Sequence, residues 1–228
     1  MQNNIFGFEH GNDILIGVVA DNRIKFYEIE YKGKDEIEWS TWNVVQNMEL
    51  MLPNGYENVF YYYDGIIGVV ANYRVQFYEY DGNYWNIIQN MDKILPVEYN
   101  DLFIFVDEFF DTVVGVVAGN IIRFYNFNGR YWFFESEVYF TPSNEFRGAF
   151  FLRREFDSFG QIGMIVDDKV VFHTFDGSRD SELILPDGSR GVFCFAHGVV
   201  AIILQDRVQF LNYRDNGWNV IQNTDFIK

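Results

Sequence analysis

A short apolar run recurs five times along the chain, and this repeat restricts the fold more than any other feature of the sequence. Its first copy, residues 16–20, reads Ile-Gly-Val-Val-Ala. Such runs are apolar at nearly every position, which is typical of strands that are buried on both faces. The spacing of roughly 40 to 50 residues matches one blade of a propeller. The five copies are residues 16–20, 67–71, 114–118, 162–166 and 200–204.

Three further strands accompany each apolar run. A strand with Phe in its second place precedes the run, and a strand with Phe in its fourth place follows it after a short turn. The turns contain Asp, Asn or Gly, which supply the positive φ angles that tight hairpins need. An outer strand that begins with Trp completes four of the five units, whereas the fourth unit has no clear copy of it. These tryptophans are Trp42, Trp85, Trp132 and Trp218.

The repeat predicts a single all-β domain over residues 1–228, built as a five-bladed β-propeller with four antiparallel strands in each blade. Separate sheets would leave open edges and exposed apolar faces, and radial stacking of the sheets removes those faces. No strand is left to be exchanged across the seam, so we expect the ring to close by face packing between blades one and five. The predicted blades are residues 4–47, 57–90, 100–139, 147–185 and 190–223.

The charge of the chain argues against several classes of partner. A net charge of −16 with a pI near 4.4 repels phosphate backbones and anionic lipids, so we expect no nucleic acid and no membrane insertion. The sequence has no signal peptide and no apolar segment long enough to cross a bilayer, which predicts a cytoplasmic protein by default or one secreted by a non-classical route. The single cysteine, Cys194, excludes an intrachain disulfide.

Catalytic and cofactor motifs are missing from the sequence. It contains no Gly-x-Ser-x-Gly elbow and no glycine-rich phosphate loop, and its three histidines are not at zinc-ligand spacing. We therefore expect no enzyme activity, no metal and no cofactor.

A polar residue follows the recurring Phe of each first strand by four positions, and these residues would form a ring at one mouth of the central channel. Because three of them precede Gly, hairpin turns are the favoured explanation. An ion or small-ligand site is the second interpretation. Catalysis by paired carboxylates, as in glycosidases, is the third. The ring residues are His10, Asp64, Asp107, Arg154 and His197.

The end of the ring that carries the links between blades is the predicted binding end, because loops carry binding residues more often than strands do. Asn and Asp side chains in its turns offer partners for sugar hydroxyls, and a tyrosine can stack on a pyranose ring. For any single one of these residues, hairpin geometry is the favoured explanation. The turn candidates are Asn22, Asn72, Tyr73 and Asn120. The four tryptophans are candidates on a second basis, since they either pack between blades or stack on a ligand.

The recurring aromatic strand, the Asp-Gly or Gly-initiated turn and the single Trp per blade resemble the tachylectin-2 type of lectin. That family is a five-bladed propeller that binds N-acetylated amino sugars between its blades, and the resemblance covers the whole chain in architecture. The glycine-rich link with a second Trp that marks the family is replaced here by the links 48–53 and 91–96. The resemblance therefore implies a non-enzymatic, multivalent, lectin-like protein but assigns no sugar-contact residue.

Two other function classes stay open at this point. A protein-interaction or scaffold propeller would use exposed Tyr and Trp residues, which are favoured at interfaces. A glycoside hydrolase is the least supported class, because the chain lacks the long loops that usually build a substrate cleft. The predicted partner is accordingly a glycan or a protein.

Overall fold

The computed structural model of the protein describes residues 5–11, 13–28, 43–106, 112–139, 146–152, 160–174, 179–196, 198–214 and 217–225. These residues form strands and turns, and none of them belongs to a helix that could span a membrane. They build five antiparallel sheets in chain order, arranged as a five-bladed β-propeller. The predicted all-β propeller fold is therefore confirmed.

Each sheet uses consecutive strands, with the first strand innermost and the last outermost. Blade one consists of Ile5–His10 (β1), Asp13–Ala20 (β2), Arg23–Glu28 (β3), Asn43–Val44 (β4) and Leu50–Met51 (β5). Blade two consists of Tyr56–Tyr63 (β6), Ile66–Ala71 (β7), Arg74–Tyr80 (β8), Trp85–Ile87 (β9) and Lys93–Ile94 (β10). Blade three consists of Tyr99–Val106 (β11), Thr112–Ala118 (β12), Ile121–Phe127 (β13) and Trp132–Tyr139 (β14).

The last two blades have four strands each. Blade four consists of Phe146–Leu152 (β15), Gln161–Val166 (β16), Lys169–His173 (β17) and Arg179–Ile184 (β18). Blade five consists of Gly191–Ala196 (β19), Val199–Ile203 (β20), Arg207–Arg214 (β21) and Gly217–Asp225 (β22).

The outer strand is interrupted in blades one and two, where two short pieces both pair with the third strand. Asn47 and Asn90 stand at the interruptions with φ angles of 66° and 67°. Asn tolerates this left-handed conformation better than most residues. The methionines that follow, Met48 and Met91, are buried in the core. The repeated Gln-Asn-Met sequence therefore marks a kink that turns a side chain inward.

A phenylalanine of the first strand lies across a glycine of the second strand in four of the five blades. A Cβ added to Gly68 would overlap the Phe60 ring, coming within 2.6 Å of its Cε atoms. Glycine in a strand often marks such a close approach. The four pairs are Phe6–Gly17, Phe60–Gly68, Phe103–Gly115 and Phe150–Gly163. Blade five pairs Phe193 with Ala201 at the same place.

The phenylalanine of each third strand is fully buried behind that pair. In blade one the rings of Phe6 and Phe26 meet edge to face, with centroids 6.2 Å apart. Edge-to-face contact is a favoured geometry for aromatic pairs. The five buried third-strand rings are Phe26, Phe77, Phe124, Phe172 and Phe210.

The ring closes between blades one and five through side-chain packing. Ile5 and Ile16 of blade one join Phe193 and Phe210 of blade five in one buried cluster. Within the part of the chain that the structure describes, the fifth sheet contains only its own four strands. A Cβ on Gly7 would lie 2.6 Å from the carbonyl oxygen of Phe195, so the inner strands approach closely at this seam. The expected closure by face packing is what the structure shows.

Candidate functional site

The described tryptophans pack against the preceding blade. Trp85 of blade two stacks on Phe26 of blade one with ring centroids 5.3 Å apart, and its Nε1–H donates to the Met48 carbonyl at 3.0 Å. The same stacking joins Trp132 to Phe77 and Trp218 to Phe172. All three side chains are half-buried. Packing between blades thus accounts for their positions, and a ligand-stacking role for them stays a prediction. Trp42 lies outside the described residues.

The turns between second and third strands share one end of the ring with the links between blades, and we call this the linker end. The evidence is a repeated hydrogen bond, in which Leu52 N–H donates to the Asn22 carbonyl and Leu95 N–H to the Tyr73 carbonyl, both at 2.8 Å. Trp85 pairs with Tyr80, at the opposite end of the third strand. The turn candidates and the tryptophans therefore belong to different ends of the molecule.

The candidate turn residues differ in how well hairpin geometry explains them. Asn22, Asn72 and Tyr73 have φ angles of 59°, 53° and 59°. Asn adopts this left-handed region readily, but a bulky residue such as tyrosine rarely does. In blade three the turn is Gly119-Asn120, where Gly119 supplies the positive φ and its N–H donates to Asn100 Oδ1 at 2.8 Å. Tyr73 is thus the turn residue that its local geometry does not explain.

Tyr73 belongs to a cluster that spans blades two and three at the linker end, formed by Glu57, Asn72, Tyr73 and Tyr99. Glu57 accepts a hydrogen bond from the Asn72 N–H at 3.1 Å and another from the Tyr99 hydroxyl. The rings of Tyr73 and Tyr99 meet edge to face, with centroids 5.9 Å apart. The Tyr73 side chain stays 46% exposed. We call this group the tyrosine cluster.

Protonation in the tyrosine cluster is set by its surroundings. Burial raises the pKa of Tyr99 above its ordinary value, and the neighbouring Glu57 carboxylate raises it further. The phenol therefore keeps its proton and donates to Glu57 across the physiological range. An exposed aromatic face beside a carboxylate and an amide combines an apolar stacking surface with hydrogen-bond acceptors and donors.

Glu57 and Tyr99 were not among the residues predicted from the sequence. Glu57 stands three places before the recurring Phe60, and Asn100 stands at the equivalent place before Phe103. Both side chains accept a hydrogen bond from the turn of their own blade. Aligning blades two and three alone would have identified Glu57 and Asn100 as candidate acceptors at one equivalent position.

The channel-mouth ring lies at the end opposite the linker end. The turns that hold two of its members meet there, because Asp64 Oδ1 accepts a hydrogen bond at 3.0 Å from the N–H of Gly11, the residue that follows His10. The His10 imidazole packs against the Tyr80 ring, with centroids 5.5 Å apart. These contacts are those of neighbouring hairpin turns, and a ligand role for the ring stays a prediction. The other predicted members, Asp107, Arg154 and His197, lie outside the described residues.

A buried carboxylate ties three inner strands together at the linker end. Asp101 Oδ1 accepts hydrogen bonds from its neighbour Leu102 N–H at 2.8 Å and from Asn58 Nδ2 of blade two at 3.1 Å. Its Oδ2 accepts from the Ala149 N–H of blade four at 2.8 Å. Gly148 leaves room for this approach, since a Cβ there would lie 2.9 Å from Oδ2. We call this chain of contacts the inner polar ladder.

The inner polar ladder predicts a pH-dependent stability. Burial raises the pKa of Asp101 from 3.8 to about 6, so the folded state binds the proton more tightly than the unfolded state does. The corresponding stabilisation, about 3 kcal/mol at most, is present below pH 4 and is lost as the pH rises to about 6. Urea unfolding of the wild type and of Asp101→Asn from pH 4 to 7 should show this slope only in the wild type.

The matched control for that experiment is Asp187→Asn, because Asp187 is exposed. This variant should keep the wild-type slope. Parallel stability curves for the wild type and Asp101→Asn over the whole pH range would contradict the role of Asp101.

Comparisons with known proteins agree on the fold. No protein-family model matches the sequence, and no curated protein is significantly similar to it. Among solved structures, the SapL1 lectin in complex with alpha methyl fucoside matches with a TM-score of 0.54 and 15% identity, over 95% of this chain and 78% of the lectin. A protein of unknown function from Bacteroides caccae matches with a TM-score of 0.51 and 15% identity, over 92% of this chain and 72% of that one.

A third match is BBS1N in complex with ARL6DN, with a TM-score of 0.50 and 13% identity, over 97% of this chain and 65% of that one. At these identities the likeness shows the fold alone. The chain is a β-propeller, and its expected resemblance to a lectin propeller is confirmed at the level of architecture.

Proposed function

We propose that the protein is a non-enzymatic, carbohydrate-binding propeller whose sugar site is the tyrosine cluster. The observation that carries the proposal is Tyr73, a bulky exposed residue held in a left-handed backbone conformation. A residue kept in a sparsely populated conformation supports a functional role at that place. Its ring would stack on the apolar face of a pyranose, while Glu57 and Asn72 would bond to sugar hydroxyls.

The similarity to a lectin that binds alpha methyl fucoside indicates which ligand class to test first. Equivalent turns in blades one and three hold Asn22 and Asn120, which would provide additional polar contacts at the same end. Weak sites of this kind gain strength through avidity when the glycan target is repetitive.

The decisive experiment is a broad glycan array probed with the wild type and with Tyr73→Asn. Asparagine is the residue that blade one uses at the same turn position, as Asn22, so the substitution keeps the turn and removes the ring. We expect the wild type to bind a defined set of glycans. We expect Tyr73→Asn to lose about five- to tenfold in affinity, since an aromatic contact contributes about 1–1.5 kcal/mol.

Tyr84→Asn is the matched control, because Tyr84 is a 73% exposed tyrosine at the opposite end of the ring. It should bind the same glycans as the wild type. Equal loss in the two variants would refute the site, and an array without any bound glycan would refute the proposed function.

The alternative function is a protein-interaction propeller, and the outer strand of blade three favours it. β14 pairs with β13 over its length and is exposed at most positions, including Phe134 and Tyr139. The outer edge of a sheet can pair with a strand of another chain. The similar propeller BBS1N was solved with ARL6DN, so a protein partner is compatible with this fold. A negative glycan array would make this the leading candidate function.

A further inference from the structure

The inner polar ladder ends at blade four. A groove lies between blades four and five, where the next side-chain bridge would be. Asn58 and Asp101 stand two places before the recurring Phe in blades two and three, and their side chains bridge to the next blade. The equivalent residue of blade four is Gly148, which has no side chain to continue the ladder. Between blades four and five the structure instead has a groove lined by Arg147, Arg190 and the backbone of Gly191.

The two arginines depart from the pattern of the repeat in the same way. They occupy the place three residues before the recurring Phe, where Glu57 and Asn100 accept a hydrogen bond from the turn of their own blade. An arginine side chain has five donors and no acceptor, so neither Arg147 nor Arg190 can perform that capping role. At this position blades four and five therefore carry a cation, where blades two and three carry a hydrogen-bond acceptor.

The lining of the groove suits an anion. The described residues that line it include two arginines and Ser189 but no acidic residue, in a chain with 33 acidic and 17 basic residues. The other side chains that line the groove are apolar, namely Ile165, Leu185 and Val192. Charge-assisted hydrogen bonds are strong beside apolar surroundings, and the planar fork of arginine matches a carboxylate.

The volume of the groove limits which part of a ligand can enter it. Its cavity volume is about 20 Å³, which is room for one water-sized group and not for a whole sugar ring. A carboxylate oxygen fits this space while the rest of the ligand stays outside, along the linker end.

We propose that the groove between blades four and five binds the carboxylate of an acidic sugar through Arg147 and Arg190. The sugar part of this assignment rests on the proposed function, and the anion part rests on the groove alone. The site is separate from the tyrosine cluster, which belongs to blades two and three.

The test is a titration of isotope-labelled protein with glucuronate, followed by nuclear magnetic resonance, with glucose and acetate as comparison ligands. Glucuronate should bind in a saturable way and more tightly than either comparison ligand, and added salt should weaken it. Arg147→Gln and Arg190→Gln should each reduce the affinity by about tenfold or more. Arg130→Gln, which removes an exposed arginine at the opposite end, should leave the affinity unchanged.

Several results would overturn the proposal. One is the absence of saturable glucuronate binding, and another is an equal loss of affinity in Arg130→Gln. Acetate binding as tightly as glucuronate would remove the sugar from the assignment. Tyr73→Asn separates the two proposals, because this variant should bind glucuronate at the groove as well as the wild type does. Glucuronate binding therefore tests the groove whatever the outcome of the glycan array. Thermal melts of each variant confirm that the fold is retained.

Discussion

Phe103→Ala should lower the free energy of unfolding by about 3–5 kcal/mol, as for other large-to-small changes in protein cores. Phe103 is only 4% exposed, and its ring lies across Gly115 and edge to face with Phe124. It belongs to a buried cluster that includes Ala149 and Met164 of blade four. Since the residue beneath the ring is a glycine, no side chain stands there to fill the cavity that alanine would leave.

Reversible urea unfolding, followed by tryptophan fluorescence, measures this loss. Phe134→Ala in the same blade is the matched control, because Phe134 is 53% exposed and its removal should change stability by about 0.5 kcal/mol or less. A loss below about 1 kcal/mol for Phe103→Ala would mean that the ring is not a core contact between blades.

Gly68→Val should be at least as damaging, with an expected loss of about 3 kcal/mol or more. Even the Cβ of a new side chain would overlap the Phe60 ring, and the two γ-methyl groups of valine would add to the overlap. The phenylalanine would have to leave its place against Phe77, with which it now makes an edge-to-face contact at 6.0 Å. The substitution therefore combines overpacking with the loss of a buried aromatic pair.

A double-mutant cycle isolates that steric cause. Gly68→Val is measured by urea unfolding in the wild type and in a Phe60→Leu background, where the smaller side chain leaves space above position 68. Residues in direct contact usually show coupling of 0.5–3 kcal/mol, so the valine should cost clearly less in the Phe60→Leu background. Equal costs in both backgrounds would show that the clash with Phe60 is not the reason.

The architecture could be predicted from the sequence because each blade repeats the same local pattern. A buried strand, a turn rich in Asn or Gly and a Phe at a constant position are all local signals, and five copies identify the unit. The pairing of Phe103 with Gly115 follows from two positions that recur in register. Such features depend on neighbouring strands, whose order the chain itself dictates.

The candidate sites could be predicted only in part, because they form between blades. Tyr73 was predicted from its turn, but Glu57 and Tyr99 approach it only after blades two and three pack together. Asp101 gives no sequence signal for burial, since its three hydrogen-bond donors include groups from two other blades. For the tryptophans, the sequence could not distinguish two roles, because an aromatic residue that packs on protein looks the same in sequence as one that stacks on a ligand.

The closure of the ring between blades one and five affects how the ring would open under force and how the number of repeats could have changed. Among the described residues, blades one and five share side-chain contacts but no backbone ladder, so no sheet is completed across their junction. Pulling blades one and five apart should open the ring at their junction before any sheet loses a strand. Duplicating or deleting one whole repeat in the gene would likewise leave every strand with its own partners.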